Sequence, residues 1–330
     1  MKYQFLGHSG LEVSKIAFGG WGVGGGNVWS DMSPSVNDVA SLLDAAYDLG
    51  INYIDTAPVY GIGSSETILG KALKGRRDRF IVQSKCSLNW RGEGGQFEYE
   101  RDGHTVMRDH RASAIRRDVE ETLERMELDH LDSLVVHRIS TVVPVEETMG
   151  ELMRLKEEGK IRAILLSNST PEDFEKYAAY GMVDGVQERL SLLSPQKRSY
   201  FPTLAAHGAT FQVYSGLENG ALTGPAFFAR EFPAGDIRRR PRWAVPALRK
   251  KMKDLYAGLD PLCEKYHCSY ANLMQAWNLA QYEELNLLTG FRHIETMQDT
   301  CKVFDITLSA EDAEMITDLG NTVLEAEKNA

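Results

Sequence analysis

Three residues with ionisable or hydrogen-bonding side chains stand at the ends of short apolar runs: Asp55 after Tyr53-Ile54, Lys85 after Phe80–Ser84, and His137 after Ser133–Val136. A fourth, Tyr60, follows in Asp55-Thr56-Ala57-Pro58-Val59-Tyr60-Gly61, where Pro58 and Gly61 impose a tight course that returns the phenol toward Asp55. A free phenol, with a pKa of about 10, is a poor acid or base at neutral pH, so its surroundings must tune it. An adjacent ammonium favours the phenolate, which is the role offered to Lys85. Asp55 would keep that ammonium charged and oriented, and His137 would hydrogen-bond a carbonyl oxygen. A tyrosine, a lysine, a carboxylate and an imidazole in one small space suit proton transfer coupled to hydride transfer between a carbonyl and an alcohol. Hydride transfer requires a cofactor.

One of these residues alone reads more readily as a satisfied structural group than as a catalyst. What changes that reading is the set of elements that must position them. Apolar or β-branched runs recur at Ile16 to Gly20, Tyr53 to Ala57, Phe80 to Lys85, Ser133 to Arg138, Ala163 to Asn168, Gly185 to Glu188, Thr210 to Ser215 and Leu285 to Gly290. Segments with helical spacing lie between them: Ser35 to Leu49, Ser65 to Leu73, Ser113 to Met126, Val145 to Glu158, Pro171 to Tyr180 and Tyr270 to Gln281. The alternation marks a parallel sheet covered by helices, and eight strands close a (β/α)8 barrel, predicted as a single domain over residues 1–330. Ser35 and Ser113 are placed as N-caps, Pro171 fits a first helical turn, and Gly50 and Gly159 fit left-handed exits.

Gln4 to Leu6 and Glu12 to Ser14 flank His8-Ser9-Gly10 as a hairpin closing one end of the barrel. Two connections, Cys86 to Ala112 and Gly216 to Val245, are too long for a bare barrel; their length and aromatics mark them as pocket-shaping loops. Barrel enzymes carry their active groups at the C-terminal ends of the strands. There the sequence supplies Asp55, Lys85, His137, Ser167, Asn168, Gln187, Tyr214 and Ser215.

Composition narrows the classes. The chain is 43% hydrophobic and 25% charged without a low-complexity run, which is enough apolar material for a large core. A formal net charge of -10 argues against a nucleic-acid partner, and the one basic cluster, Arg238, Arg239, Arg240 and Arg242, reads as a solvated loop. The four cysteines, Cys86, Cys263, Cys268 and Cys301, show no paired zinc-site spacing and read as reduced thiols. Met1 to Gly10 holds no apolar core of signal-peptide length and no run is long enough to span a bilayer, so a cytoplasmic protein without a membrane partner is expected. No G-x-G-x-x-G opens a strand-turn-helix unit, and Gly24-Gly25-Gly26 reads as a flexible loop. A barrel metallohydrolase is disfavoured, because Ala17-Phe18-Gly19-Gly20-Trp21 lacks a histidine pair and His137 has no ligand partner nearby in sequence; no metal is expected.

From Tyr3 to about Leu319 the chain resembles the aldo-keto reductase superfamily. The resemblance rests on Gly50-Ile51-Asn52-Tyr53-Ile54-Asp55-Thr56-Ala57, Tyr60-Gly61, Ser65-Glu66 and Leu69-Gly70, with Lys85 and His137 at the remaining catalytic positions. It implies Tyr60 as general acid or base, Lys85 and Asp55 as its tuners, and His137 as the group orienting the carbonyl. It also implies a nicotinamide cofactor, usually NADP(H), lying extended across the barrel mouth. Ser167, Asn168 and Gln187 would hold the carboxamide and Tyr214 would stack on the ring. Ser215, Gly216, Leu217, Gly220, Leu222, Thr223 and Gly224 resemble the pyrophosphate-covering loop, and Gly290, Phe291 and Arg292 the adenosine-phosphate segment, with Arg292 facing a 2′-phosphate. Gly20 and Trp21, at the exit of the first strand, join the cofactor set.

The chain departs from the family pattern at Gly216 (usually proline), Pro225 (often lysine), Thr296 (usually arginine or glutamine) and Thr300 (where asparagine contacts adenine), and loss of polar partners at Thr296 and Thr300 would either weaken adenine binding or leave NAD(H) competitive with NADP(H). Trp21, Trp29 and Trp90 stand beside the pocket, where they either pack loops against the barrel or present indole faces to sugar or cyclitol rings. The likeness is strongest to bacterial members acting on sugars, inositol-like polyols and simple aldehydes. The expected partners are therefore a small carbonyl or alcohol substrate and a second copy of the chain in a homo-oligomer. A nicotinamide-binding regulatory subunit that senses redox state with little turnover is the alternative.

Overall fold

The computed structural model describes residues 1–29 and 33–329. In chain order the strands are β1 (Tyr3–Phe5), β2 (Glu12–Ser14), β3 (Ile16–Gly19), β4 (Tyr53–Asp55), β5 (Ile81–Cys86), β6 (Leu88–Asn89), β7 (Gln96–Arg101), β8 (His104–Arg108), β9 (Ser133–Val136), β10 (Ala163–Ser167), β11 (Gly185–Arg189), β12 (Thr210–Tyr214) and β13 (Leu285–Thr289). The helices are α1 (Val36–Asp48), α2 (Ser64–Ala72), α3 (Ala112–Met126), α4 (Val145–Glu157), α5 (Pro171–Ala178), α6 (Phe201–His207), α7 (Pro246–Lys265), α8 (Tyr270–Leu279), α9 (Ile294–Cys301) and α10 (Ala310–Lys328). Strands β3, β4, β5, β9, β10, β11, β12 and β13 pair in parallel into a closed barrel, sealed where Leu287 stands opposite Ile16 and Leu288 opposite Ala17. All eight strands read from the sequence are in it.

Because side chains alternate across a strand, one parity faces the barrel axis and the other the helices. On β5, Ser84 points outward and bonds Glu66 of α2 at 2.6 Å, while Gln83 and Lys85 point in. The outer layer is apolar: Phe18, Ile54, Val82, Leu134, Ile164 and Val186 pack under the helices. The hairpin of β1 and β2 plugs the end where the strands begin, setting Leu6, Leu11 and Val13 against Ala17, Tyr53, Val135 and Leu165.

Several helix ends follow the sequence closely. Ser35 caps α1 in a reciprocal box with Asp38, Pro171 opens α5 behind the Thr170 cap, and Gly50 and Gly159 adopt φ of 82° and 75°. Ser113 is a correction. It lies inside α3, whose first residue Ala112 donates its N–H to Glu147 Oε1 of α4 at 2.9 Å, so a neighbouring helix supplies the acceptor. The first long connection folds into an antiparallel sheet of order β6-β8-β7. The second runs through short 3-10 turns whose Phe227, Phe228, Phe232 and Trp243 pack on α7. The arginine cluster in it is not a solvated run: Arg238 pairs with Asp236 at 2.5 Å and Arg242 with Glu327 at 2.8 Å, both against aromatic rings. Among the described residues no helix is long and apolar enough to cross a membrane.

Candidate active site

The inward parity delivers Asp55, Lys85, His137, Ser167, Gln187 and Tyr214 to one mouth. Lys85 is fully buried. Its ammonium donates to Asp55 Oδ1 at 2.5 Å and to the Thr56 carbonyl at 2.8 Å, and it lies 5.0 Å from the centre of the Tyr60 ring. Burial draws the ammonium below its ordinary value and the Asp55 charge works against that. The Tyr60 ring meets His137 edge to face at 6.1 Å and stacks on Trp21 at 5.9 Å.

One expectation about tuning is not met. Burial, then the charges of Asp55, Tyr214 and Tyr99, push the Tyr60 phenol well above its usual range, with Arg101 alone pulling it down. Asp55 holds the lysine ammonium at 2.5 Å, and that ammonium stands 5.0 Å from the centre of the Tyr60 ring. Burial, then Lys85, Arg138 and Arg101, hold His137 well below its ordinary value, so its imidazole is neutral and its buried Nδ1 lacks a hydrogen-bond partner.

Below the mouth lies a polar layer that sequence reading missed. Tyr53 donates to Gln83 Oε1 at 2.5 Å, Gln212 donates to the Tyr53 hydroxyl at 2.8 Å, and Ser133 donates to Gln83 Oε1 at 2.9 Å. Gln83 and Gln187 then donate upward to Asp55 Oδ1 at 2.7 and 2.9 Å. Three amides and a phenol thus floor the Asp55 carboxylate, satisfying groups that would be costly if left unpaired in a barrel interior.

Glycines hold the Tyr60 loop. A Cβ on Gly24 would come within 2.6 Å of the Tyr60 carbonyl oxygen, and one on Gly61, at φ 59°, within 2.0 Å of the Gly24 oxygen. Within Gly24-Gly25-Gly26, read from composition as a flexible loop, Gly24 packs on the Tyr60 turn while Gly25 and Gly26 face Ser33 and Asp102. Gly20 is equally constrained, since a Cβ there would meet the Asp55 carbonyl at 2.7 Å.

The remaining candidates divide into groups. Asn168, at φ 52°, donates to the His137 carbonyl at 2.9 Å and accepts from the Tyr214 hydroxyl at 2.8 Å, while Ser167 donates to the Gln187 carbonyl at 2.7 Å. The lone pairs left on the Asn168 and Gln187 amide oxygens can take a carboxamide N–H. In the following loop Ser215, Glu218 and Asn219 have φ of 55°, 50° and 54°, and Gly220 and Gly224 have φ of 104° and 130°. Successive backbone N–H groups in such conformations form anion-binding concavities, and the buried Asn219 Nδ2 has no protein acceptor. Leu217 and Leu222 anchor this loop in the apolar cluster under α7, and Asn278 donates to the Gly216 carbonyl at 3.3 Å. These residues fit a pyrophosphate.

At the far end, Arg292 follows Gly290 and Phe291 but turns across the mouth, 5.5 Å from the Trp29 ring, with Trp29 also edge-on to Trp21 at 5.2 Å. Thr296 is exposed on α9 and Thr300 is buried beneath it. Trp90 lies under the Arg125 guanidinium at 5.5 Å, packed on the loop cluster of Ala57, Val59 and Leu88. Among the described residues no three His, Cys, Asp or Glu side chains are grouped to hold a metal ion.

The sequence matches the aldo/keto reductase family model over residues 15–321. The chain belongs to the aldo/keto reductase family. It is 32% identical to the NADH-specific methylglyoxal reductase of Escherichia coli across 98% of this chain and 99% of that protein. It is 31% identical to aldo-keto reductase YhdN of Bacillus subtilis across 98% and 94%. Among solved structures, the glycerol dehydrogenase of Gluconobacter oxydans superposes with a TM-score of 0.83 at 30% identity, covering 94% of this chain and 92% of that one. An aldo/keto reductase is a carbonyl–alcohol oxidoreductase that works with a nicotinamide cofactor on a small substrate.

Proposed function

We propose that this aldo/keto reductase works chiefly as a reductase, with Tyr60 entering the reaction as the protonated acid. The observation that carries the reading is the buried Lys85–Asp55 pair beneath a phenol held in its neutral form, opposite a neutral His137. A bound reduced nicotinamide supplies the hydride. His137 donates a hydrogen bond to the substrate oxygen and fixes its approach. Tyr60 gives its proton to that oxygen as negative charge develops there, and Lys85 stabilises the phenolate left behind. Asp55, tied from below by Gln83 and Gln187, keeps the lysine in place. Trp21, stacked on Tyr60, is one wall of the substrate space.

Ser167, Asn168, Gln187 and Tyr214 would hold the nicotinamide end of the cofactor, and residues 215–224 its pyrophosphate. For the adenosine end we propose that NADH competes with NADPH. Arg292 is engaged with Trp29, Thr296 and Thr300 bring no charge, and the Escherichia coli relative is named for NADH specificity. The four free cysteines support a reducing, cytoplasmic setting.

The test follows nicotinamide absorbance with NADH and NADPH in parallel against simple aldehydes, sugars and polyols. Wild-type protein should turn over, and Tyr60→Phe should lose turnover while still binding cofactor. Normal turnover by Tyr60→Phe overturns the assignment. Tight cofactor binding by wild type with no turnover on any compound favours a redox-sensing subunit instead.

A further inference from the structure

The sheet inserted after β5 brings charge to the mouth. Its β7–β8 register slips between Phe97 and Tyr99, leaving Glu98 as an extra residue in a bulge; bulges beside active sites re-aim side chains. Beyond it Tyr99 and Arg101, two apart, share a face, with the Arg101 guanidinium 4.8 Å from the centre of the Tyr99 ring. Tyr99 packs on the same cluster of Ala57, Val59, Leu88 and Val106 as Tyr60, and the guanidinium over its ring is thereby brought near the phenol. Its charge acts on both Tyr60 and His137. Arg138, the residue after His137, acts on His137, Tyr99 and Tyr214.

The neighbouring carboxylates do not cancel this charge. Glu98 serves two guanidiniums, with Nε atoms of Arg138 at 3.2 Å and Arg108 at 3.5 Å, and both Nε atoms are buried without an aligned hydrogen bond. Glu100 is exposed and accepts from Thr105, and Asp102 at the hairpin tip lies against Gly26. Among the described residues Arg101 forms no ion pair. A chain of formal net charge -10 thus brings the guanidiniums of Arg101 and Arg138 beside Tyr60 and His137, with the single Glu98 carboxylate shared between Arg138 and Arg108.

We propose that the preferred substrates are carbonyl compounds bearing an anionic group, a carboxylate or a phosphate, at the end away from the carbonyl, held by Arg101 and Arg138. This rests on the reductase reading above. The guanidinium fork suits either anion, and local positive charge in a concave mouth concentrates anions against the field of the whole protein.

Steady-state kinetics on matched pairs test it: 4-oxobutanoate against its methyl ester, and glyceraldehyde 3-phosphate against glyceraldehyde, each with NADH and NADPH. At low salt kcat/KM should favour the anionic member of at least one pair by about tenfold or more, the scale of a hydrogen bond to a charged group, and the preference should shrink as salt rises. The pair that responds says whether carboxylate or phosphate is meant. Arg101→Gln should cut the anionic-to-neutral ratio, mainly through KM, and Arg101→Lys should keep most of it. Should Arg101→Gln fail to fold, the wild-type ratio and its salt dependence decide alone. Equal or better turnover of both neutral members overturns this inference and leaves the reductase reading standing. No turnover of any of the four compounds overturns both.

Discussion

Replacing Gly24 with alanine tests whether backbone packing places the Tyr60 phenol, proposed here as the proton donor. Gly24 has φ −68° and ψ −17°, which any residue adopts, so the methyl adds no dihedral strain. The obstacle is space alone: the new Cβ would lie 2.6 Å from the Tyr60 oxygen, 2.7 Å from its carbonyl carbon and 2.9 Å from the Gly61 nitrogen. Ordinary contact begins at 3.4 Å, so the Tyr60 carbonyl must retreat by 3.4 − 2.6 = 0.8 Å. That carbonyl accepts from Ser65 N–H at 3.1 Å and the Tyr60 N–H donates to Ala57 at 3.1 Å, so the turn moves with it or loses a bond. Overpacking of this kind costs about 1–3 kcal/mol. A shift approaching 1 Å at a reacting group costs up to about 100-fold in rate. We expect kcat on a simple aldehyde at saturating reduced cofactor to fall about 10- to 100-fold, with a lowered urea midpoint and a much smaller change in cofactor Kd. Gly150→Ala is the control: it sits inside α4 with no atom within 4 Å of a new Cβ, and should stabilise by about 0.5–1 kcal/mol with turnover intact. A Gly24→Ala enzyme with wild-type kcat and an unmoved urea midpoint would refute the packing argument.

Lys85→Met strands the Asp55 carboxylate in a buried site and should cost about 3–5 kcal/mol in urea unfolding. Adding Asp55→Asn should recover part of that loss; strictly additive penalties would mean that the pair is not coupled. His110 is buried with neither ring nitrogen in an aligned hydrogen bond, and burial, only partly offset by the Arg138 backbone, pushes its pKa down from 6.5 to about 4. Its folded value is depressed, so its contribution is fully present above about pH 6.5 and is lost as pH falls toward 4, by up to about 3 kcal/mol at 1.4 per unit. His137, shifted the same way, adds to that slope. His110→Phe should flatten the decline in stability between pH 6.5 and 4; parallel unfolding curves for the two proteins would dispose of the assignment.

What could be read from the sequence follows from periodicity. Each barrel strand is short and apolar on its helix-facing side, so all eight were visible, and a period of two carries Asp55, Lys85, His137, Ser167, Gln187 and Tyr214 to one mouth without further information. The same parity was a signal for the floor of the site. Tyr53 stands two before Asp55, Gln83 two before Lys85, and Gln212 two before Tyr214, each on a strand otherwise buried on both faces. Glutamines in such strands cannot be solvated, so they must bond one another. Read one by one they look like ordinary polar residues, and their partners come from strands 25 to 159 positions apart.

Helix α7 escaped for a different reason. Gly258 and Pro261 look like breakers, yet a Cβ at Gly258 would meet Leu319 of α10 at 2.6 Å, so the glycine is there to let two helices approach. Gly24 belongs to the same class. In both cases the residue's value lies in the side chain it lacks and in a neighbour distant in sequence, which composition cannot reveal. The tuning of Tyr60 is the deeper instance. Residue types put an ammonium beside a phenol, but the phenol is moved first by its burial and then by the Asp55 charge, and both act against the phenolate. Burial is a property of the whole fold, so the direction in which the phenol moves is something residue types alone do not determine.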